Sequence, residues 1–233
     1  MKAETIEKIL EISQRSPIFL DGRNFDSATM KPIMPAMPET MHVSSLQGVV
    51  DFVNFEFPED KKHLAFLLDA DAVQVVSDLM PPEWRRRIYL QAVSPSPNHF
   101  FKVDIAVTDA ICWLQTGFMP SPDRDHIIAM ISHLKGGTSI TVSDDGLSQR
   151  AAVKSGITRT GTEDVRNILQ LRPFQTFCEI EQPEVSCLIR LKEDGDNFKI
   201  KITQADGGRW KIAARAAIAA WLREKLPEIP VIA

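Results

Sequence analysis

Residues 185–204, VSCLIRLKEDGDNFKIKITQ, and residues 205–225, ADGGRWKIAARAAIAAWLREK, decide the fold class. Apolar and polar side chains alternate strictly in the second half of the first stretch, where the chain reads Phe198, Lys199, Ile200, Lys201, Ile202, Thr203. This period of two is typical of a strand with one buried and one wet face, and Asp194-Gly195 provides the hairpin turn before it. The second stretch has a helical period. An antiparallel hairpin followed by a long helix predicts an α+β fold.

The same patterns predict further elements outward from this point. A helical face and a stop at Pro17 predict a helix over 4–14, and a capping box of Ser44 and Gln47 predicts another over 45–55. Thr108 and Ser121-Pro122 are expected to begin the two helices of a helical hairpin. Strands are predicted over 18–20, 23–25, 63–68, 72–77, 87–93, 138–143, 147–154, 171–181, 185–193 and 197–204. We expect the sheet of 138–204 to be covered by the helical hairpin and by the last helix, 209–225.

The proline-rich stretch Ser94-Pro95-Ser96-Pro97-Asn98 is the best candidate for a linker. It predicts an N-terminal α+β region, 1–95, and a C-terminal α+β domain, 96–233. The first would carry an extended arm over 28–38, and the second an apolar tail over 227–233.

The arm and the tail have the composition of intersubunit contacts. Prolines recur every three residues in the arm with methionines in the same period, which is the repeat of polyproline II. The arm could be a ligand for an SH3-type domain, but its methionines favour packing on its own or a neighbouring subunit. Each segment is too short to make a core and too apolar to leave exposed. The predicted oligomer contacts are Pro32, Met34, Pro35, Met37, Pro38, Ile229, Val231 and Ile232.

These segments predict a non-enzymatic, self-assembling homo-oligomer, with a ring or shell as one possible assembly. The alternative is an accessory nucleic-acid-binding protein. A formal net charge of −4 repels a phosphate backbone, so nucleic acid would need a local basic patch. The densest patch is Trp84, Arg85, Arg86 and Arg87, which could equally be a solvated loop entering a strand.

Sequence motifs for catalysis or metal binding are weak. Gly156 and Gly161 have P-loop spacing but lack the following lysine. His126 and His133 would lie two helical turns apart, about 11 Å, which is too far for one metal ion. Glu59 and Lys61 form an acid-x-lysine element, and a metal-dependent nuclease is a second alternative. Asp69-Ala70-Asp71 could hold a cation or be an ordinary strand turn. We expect no enzyme, no cofactor and no metal.

Cysteine use and hydropathy indicate a cytoplasmic protein. The three cysteines show neither CxxC spacing nor an even count, which fits a reducing compartment. Cys178 and Cys187 would be opposed if the chain turns at Gln182-Pro183, and could then be an oxidisable pair or two buried thiols. No apolar run is long enough to cross a bilayer, and the first residues lack the pattern of a signal peptide, so no membrane partner is expected.

Four segments resemble a family of uncharacterised phage and prophage proteins. In order, they are FMPSPDRDHI, ITVSDDGLSQRAAVKSGI, LRPFQTFCEIEQPEVSCLIRL and ADGGRWKIAA. The resemblance covers most of 105–221 and extends loosely to VSSLQGVVDF at 43–52. It implies a product of the early phage region concerned with DNA replication and recombination, acting in the cytoplasm of a bacterial host. It carries over no catalytic residue.

Overall fold

The computed structural model describes residues 3–13, 17–20, 23–27, 39–57, 63–80, 85–97, 99–135, 139–144, 149–155, 158–165, 168–194 and 197–233. The chain divides into two compact units, Met1–Glu39 and Thr40–Ala233. The predicted boundary at 95/96 lies inside the second unit. The predicted linker belongs to the fold there, because the amide of buried Ser94 donates a hydrogen bond to the Asp71 carbonyl.

The first unit contains a helix and a short hairpin. Helix α1 spans Ala3–Ser13, and strands β1 (Ile18–Leu20) and β2 (Arg23–Phe25) pair antiparallel with Leu20 opposite Arg23. The predicted helix and hairpin are confirmed. The predicted contacts of the arm lie outside the described residues; they are Pro32, Met34, Pro35, Met37 and Pro38.

The second unit contains the rest of the secondary structure. Its helices are α2 (Leu46–Glu56), α3 (Val107–Gly117), α4 (Pro122–Lys135) and α5 (Arg209–Lys225). Its strands are β3 (Met41–Val43), β4 (His63–Asp69), β5 (Ala72–Ser77), β6 (Ile88–Val93), β7 (Asp104–Ala106), β8 (Ser139–Asp144), β9 (Gln149–Ser155), β10 (Thr158–Val165), β11 (Ile168–Leu171), β12 (Val185–Asp194), β13 (Asn197–Gln204) and β14 (Val231–Ile232). The mixture of helices with antiparallel and mixed sheets confirms the α+β class.

A five-stranded sheet in the order β14-β4-β5-β6-β3 forms one layer of this unit. Its inner face packs against apolar residues of α2 and α5. The hydrophobic spacing of α2 places Leu46, Val49, Val50 and Val53 on the buried face, as the sequence predicts. The N-cap is Ser45 and not the predicted Ser44, since the Ser45 hydroxyl accepts the hydrogen bond from the amide three residues later.

A four-stranded sheet in the order β11-β12-β13-β7 forms a second core with α3 and α4. The β12–β13 hairpin is paired as its alternation predicts, with Ile200 and Ile202 fully buried. Helix α3 begins at Val107, one residue before the predicted cap Thr108. The single sheet expected over 138–204 is replaced by two, because β8, β9 and β10 form a separate three-stranded sheet.

The segment 172–184, predicted to be mostly strand, is an irregular loop that joins the two cores. It leaves the four-stranded sheet after Leu171 and inserts Phe177 and Ile180 into the cluster under the five-stranded sheet. The Thr176 hydroxyl donates to the Ala70 carbonyl in the β4–β5 turn. Helix α5 contributes residues to the hydrophobic clusters of both sheets. Together with the loop, it holds Thr40–Ala233 together as one unit.

The side chain of Gln182 determines the shape of this loop. Its carbonyl oxygen accepts hydrogen bonds from the amides of Gln175 and Thr176, and its amide donates to the carbonyls of Thr176 and Phe177. Because Gln182 is buried, water cannot replace these bonds.

Gln182→Leu is therefore expected to lower the free energy of unfolding by at least about 3 kcal/mol, since several buried backbone groups lose their partners. Urea denaturation followed by tryptophan fluorescence measures this loss. The matched control is Gln170→Leu, an exposed position on β11, with an expected loss of about 1 kcal/mol or less. Equal losses in the two variants would contradict the role given to Gln182.

Candidate functional site

The C-terminal tail packs on its own chain. Strand β14 pairs in parallel with β4, and the Ala65 amide donates to the Pro230 carbonyl at 3.0 Å. Ile229 is only 8% exposed, and Val231 packs on the same core cluster. The structure places these two residues on their own chain, because β4 offers a free edge close to the end of α5. Their contact with a second copy stays a prediction. Ile232 is 45% exposed and lies on the opposite face of the sheet from Val231.

The face of the five-stranded sheet turned away from α2 and α5 carries a group of exposed apolar side chains. Strand register and the alternation of side chains place them on the same face. Ile232 of β14 lies beside Phe66 of β4, and Leu68 follows Phe66 by two residues on the same strand. On β6, Ile88 and Val93 lie opposite Val76 and Ala72 of β5. We call this surface, Phe66, Leu68, Ile88, Val93 and Ile232, the outer face. These side chains are 38–45% exposed.

Polar groups on the outer face are almost all neutral. Pairing between neighbouring strands places Gln74, Gln91 and His42 in one row with Phe66 across the sheet. The Gln74 side-chain amide donates to the Gln91 side-chain carbonyl at 3.3 Å. The carboxylate at its margin belongs to Asp69, whose Oδ2 is 2.7 Å from Lys211 Nζ. This hydrogen bond holds the pKa of Asp69 below its usual value. The outer face therefore presents apolar and neutral surface.

The predicted basic segment continues the β5–β6 ladder. The Met80 amide donates to the Arg85 carbonyl and the Ser77 amide to the Arg87 carbonyl, at 3.0 and 2.9 Å. Arg86 Nη1 donates to the Ser77 carbonyl at 2.7 Å. Trp84 lies outside the described residues. The segment is thus an extended one, with the Arg85 and Arg86 side chains exposed and that of Arg87 half-buried.

Aromatic side chains that sequence reasoning missed lie beside these arginines. The Arg87 Cζ is 5.0 Å from the centre of the Tyr89 ring, the range of a cation–π contact. The centre of the Tyr89 ring is 5.2 Å from the ring centres of both His63 and Phe57. The His63 and Phe57 rings stack on each other, with their centres 3.7 Å apart. In the sequence, this cluster could have been found only from the position of Tyr89, two residues after Arg87 on an extended segment. The other two rings come from distant parts of the sequence.

The candidate metal ligands do not assemble in the described part of the chain. No group of three or more His, Cys, Asp or Glu residues there is arranged to hold a metal ion. Asp69 is paired with Lys211, and His126 is exposed on α4. Glu59, Lys61 and the side chain of His133 are outside the described residues. In the same part of the chain, no helix is both long and apolar enough to span a bilayer.

The opposed arrangement considered for Cys178 and Cys187 is wrong. Cys187 lies in β12 between Leu169 and Gln204, while Cys178 is exposed in the loop. Burial, with a smaller contribution from Asp206, raises the pKa of the Cys187 thiol to about 12, so this thiol is unreactive.

His99 is half-buried at the start of the segment that leads to β7. Its Nε2 lies 2.8 Å from the Phe174 carbonyl, and its ring packs among Phe101, Trp113 and Phe118. Burial lowers the pKa of His99, and the bond to Phe174 opposes this only in part. Because a carbonyl only accepts hydrogen bonds, Nε2 carries the proton. His99 is thus neutral, and its hydrogen bond ties the segment before β7 to the loop 172–184.

Searches against family models, curated proteins and solved structures found no match for this chain. The resemblance to phage and prophage proteins therefore stays a prediction.

Ile229→Ala is expected to lower the free energy of unfolding by about 2–5 kcal/mol, because it opens a cavity in the core of the second unit. The matched variant Ile212→Ala removes a side chain that is 73% exposed on α5 and should cost about 0.5 kcal/mol. Urea denaturation of both variants measures the difference. Similar small losses would mean that the tail does not pack on its own chain.

His99 makes stability depend on pH. The unfolded chain has the ordinary histidine pKa of about 6.5 and takes up a proton before the folded chain does. The contribution of neutral His99 is therefore present above about pH 6.5 and is lost as the pH falls toward the lower folded-state pKa. Urea denaturation between about pH 7.5 and pH 5 should show a smaller pH dependence for His99→Gln than for the wild type. His126→Gln is the control and should keep the wild-type dependence; an unchanged dependence in His99→Gln would refute this role.

Proposed function

We propose that this protein is a non-enzymatic homo-oligomer that self-associates through the outer face of its five-stranded sheet. The observation that carries the proposal is that Phe66, Leu68, Ile88, Val93 and Ile232, each 38–45% exposed, lie on the same face of the sheet. Exposed apolar side chains grouped on one face are typical of interaction sites. The phage resemblance supports a role in phage biology.

Charge favours a second copy as the occupant of the outer face. Each chain carries a formal net charge of −4, so two copies repel each other at most approaches. A face whose central polar groups are the neutral side chains Gln74 and Gln91, and whose marginal carboxylate Asp69 is paired with Lys211, reduces that repulsion. It also offers nothing to a strongly charged partner. An apolar, neutral face is complementary to itself, which is the requirement of a two-fold symmetric interface.

Sheet-on-sheet packing is the geometry that such an interface would use. Two sheet faces pack about 10 Å apart with interdigitated side chains. A stable interface buries about 800 Å² on each partner, so residues around the five apolar side chains would supply its rim. The tail contributes through Ile232, whose strand also completes the sheet. In this arrangement the tail mainly completes the sheet of its own subunit. Only part of its apolar surface is available to a partner.

The test is molecular mass in solution. Light scattering or sedimentation at micromolar concentration should give a multiple of 26.1 kDa for the wild type. Phe66→Glu combined with Val93→Glu should shift the mass to that of the monomer, because carboxylates would face each other across the interface.

Two matched variants control for the general effect of an added charge. Phe55→Glu and Ile212→Glu change side chains that are 81% and 73% exposed on the helices of the same unit, and both should leave the assembly intact. A wild-type mass of 26.1 kDa at all concentrations would refute the proposal. Dissociation by Phe55→Glu or Ile212→Glu, with none from the outer-face variant, would move the interface to the helical layer.

A further inference from the structure

We infer that the extended segment carrying Arg85 and Arg87, with Tyr89 beside it, is a binding site for single-stranded nucleic acid. We call Arg85, Arg87 and Tyr89 the arginine strip. The inference does not depend on self-association, because it rests on other side chains and has its own measurement.

The first observation is a guanidinium group with an unused donor. Arg87 Nη2 is shielded from solvent and has no hydrogen-bond acceptor among the described residues. A shielded, charged donor without a partner is costly unless an anion completes its hydrogen bonds. The Tyr89 ring holds the guanidinium in place on one side. An oxyanion that displaces the cover over Nη2 would supply the missing acceptor.

The second observation is the spacing of the charges. Residues two apart on an extended chain lie on the same side, about 6.6–6.8 Å apart. Arg85 and Arg87 therefore form a row and do not converge on one point, whereas Arg86 bends across to the Ser77 carbonyl. A row of separated cations fits a ligand whose negative charges follow each other along a chain, and it fits a single small anion poorly. A nucleic-acid backbone is such a ligand.

The third observation is the aromatic group at the end of the row. Tyr89, His63 and Phe57 form one cluster, in which Tyr89 and Phe57 are half-buried and His63 is buried. Basic residues combined with aromatic rings are typical of single-strand sites, because unpaired bases stack on rings while phosphates bind the cations. A duplex keeps its bases stacked inside and gains nothing from the rings.

Local acids make the site weak. Asp78 and Glu56 are exposed at the same end of the sheet, and the whole chain is acidic. With two phosphate contacts, one for each arginine of the strip, the slope of log affinity against log salt concentration should be about −1.4. Binding should be detectable at low salt and lost at high salt.

The experiment is fluorescence anisotropy of the full chain with labelled oligomers of thymidine and of uridine, about 16 nucleotides long, and with a duplex of that length. We expect both single strands to bind at micromolar protein and the duplex to bind less well. Arg85→Gln and Arg87→Gln should each weaken single-strand binding about eightfold at 50 mM salt, since one contact contributes a slope of about −0.7. Each variant should also flatten the measured salt slope.

The control is Arg209→Gln, which removes the same charge from an exposed arginine at the start of α5. It should leave affinity nearly unchanged. Urea denaturation of Arg87→Gln shows whether that half-buried variant folds, and exposed Arg85→Gln keeps the inference testable if it does not. No binding by the wild type at low salt, tighter binding of the duplex, or an equal loss in Arg209→Gln and Arg85→Gln would each overturn the inference.

Discussion

The hydrogen bonds of the buried Gln182 side chain are the constraint on which the second unit depends. They pair backbone groups of Gln175, Thr176 and Phe177 that have no strand or helix to pair with. Only a side chain with both an acceptor and a donor can satisfy amides and carbonyls together. With these groups paired, the loop can carry fully buried Phe177 from the four-stranded sheet into the core under the five-stranded sheet. Two cores are thereby fixed as parts of one body.

That arrangement determines which surfaces remain free. The helices cover the inner face of the five-stranded sheet, and side chains occupy one edge of this sheet and one edge of the four-stranded sheet. Since the Pro230 carbonyl points to β4, the Val231 carbonyl points away from it, where Arg223 Nη2 donates to it at 3.1 Å. At the edge of the other sheet, Asp123 Oδ2 accepts from the Gln170 amide at 2.8 Å. Edges occupied in this way resist strand addition. The outer face is an apolar surface that stays exposed in the described part of the chain, and association through it would be face to face.

Elements with local signals could be predicted from the sequence, and those that depend on distant partners could not. The alternation of Phe198, Ile200 and Ile202 and the spacing of the α2 apolar residues fix buried faces by themselves. The loop 172–184 was predicted to be strand because its apolar residues resemble a β pattern, yet they are divided between two cores. The tail was predicted to need a second copy because nothing local shows that β4 has a free edge. For the same reason the arginines could be found in the sequence, but the rings of His63 and Phe57 beside Tyr89 could not.

Self-association and single-strand binding would reinforce each other physically. One arginine strip would offer two phosphate contacts on an acidic protein, which would give weak binding at physiological salt. Copies joined through their outer faces would each present a strip, so a strand held by one copy would meet the next at a high effective concentration. The gain requires no additional contact, only a strand long enough to reach from strip to strip. The neutral outer face would then have a further consequence: it would let acidic subunits assemble without using the cations that nucleic acid would require.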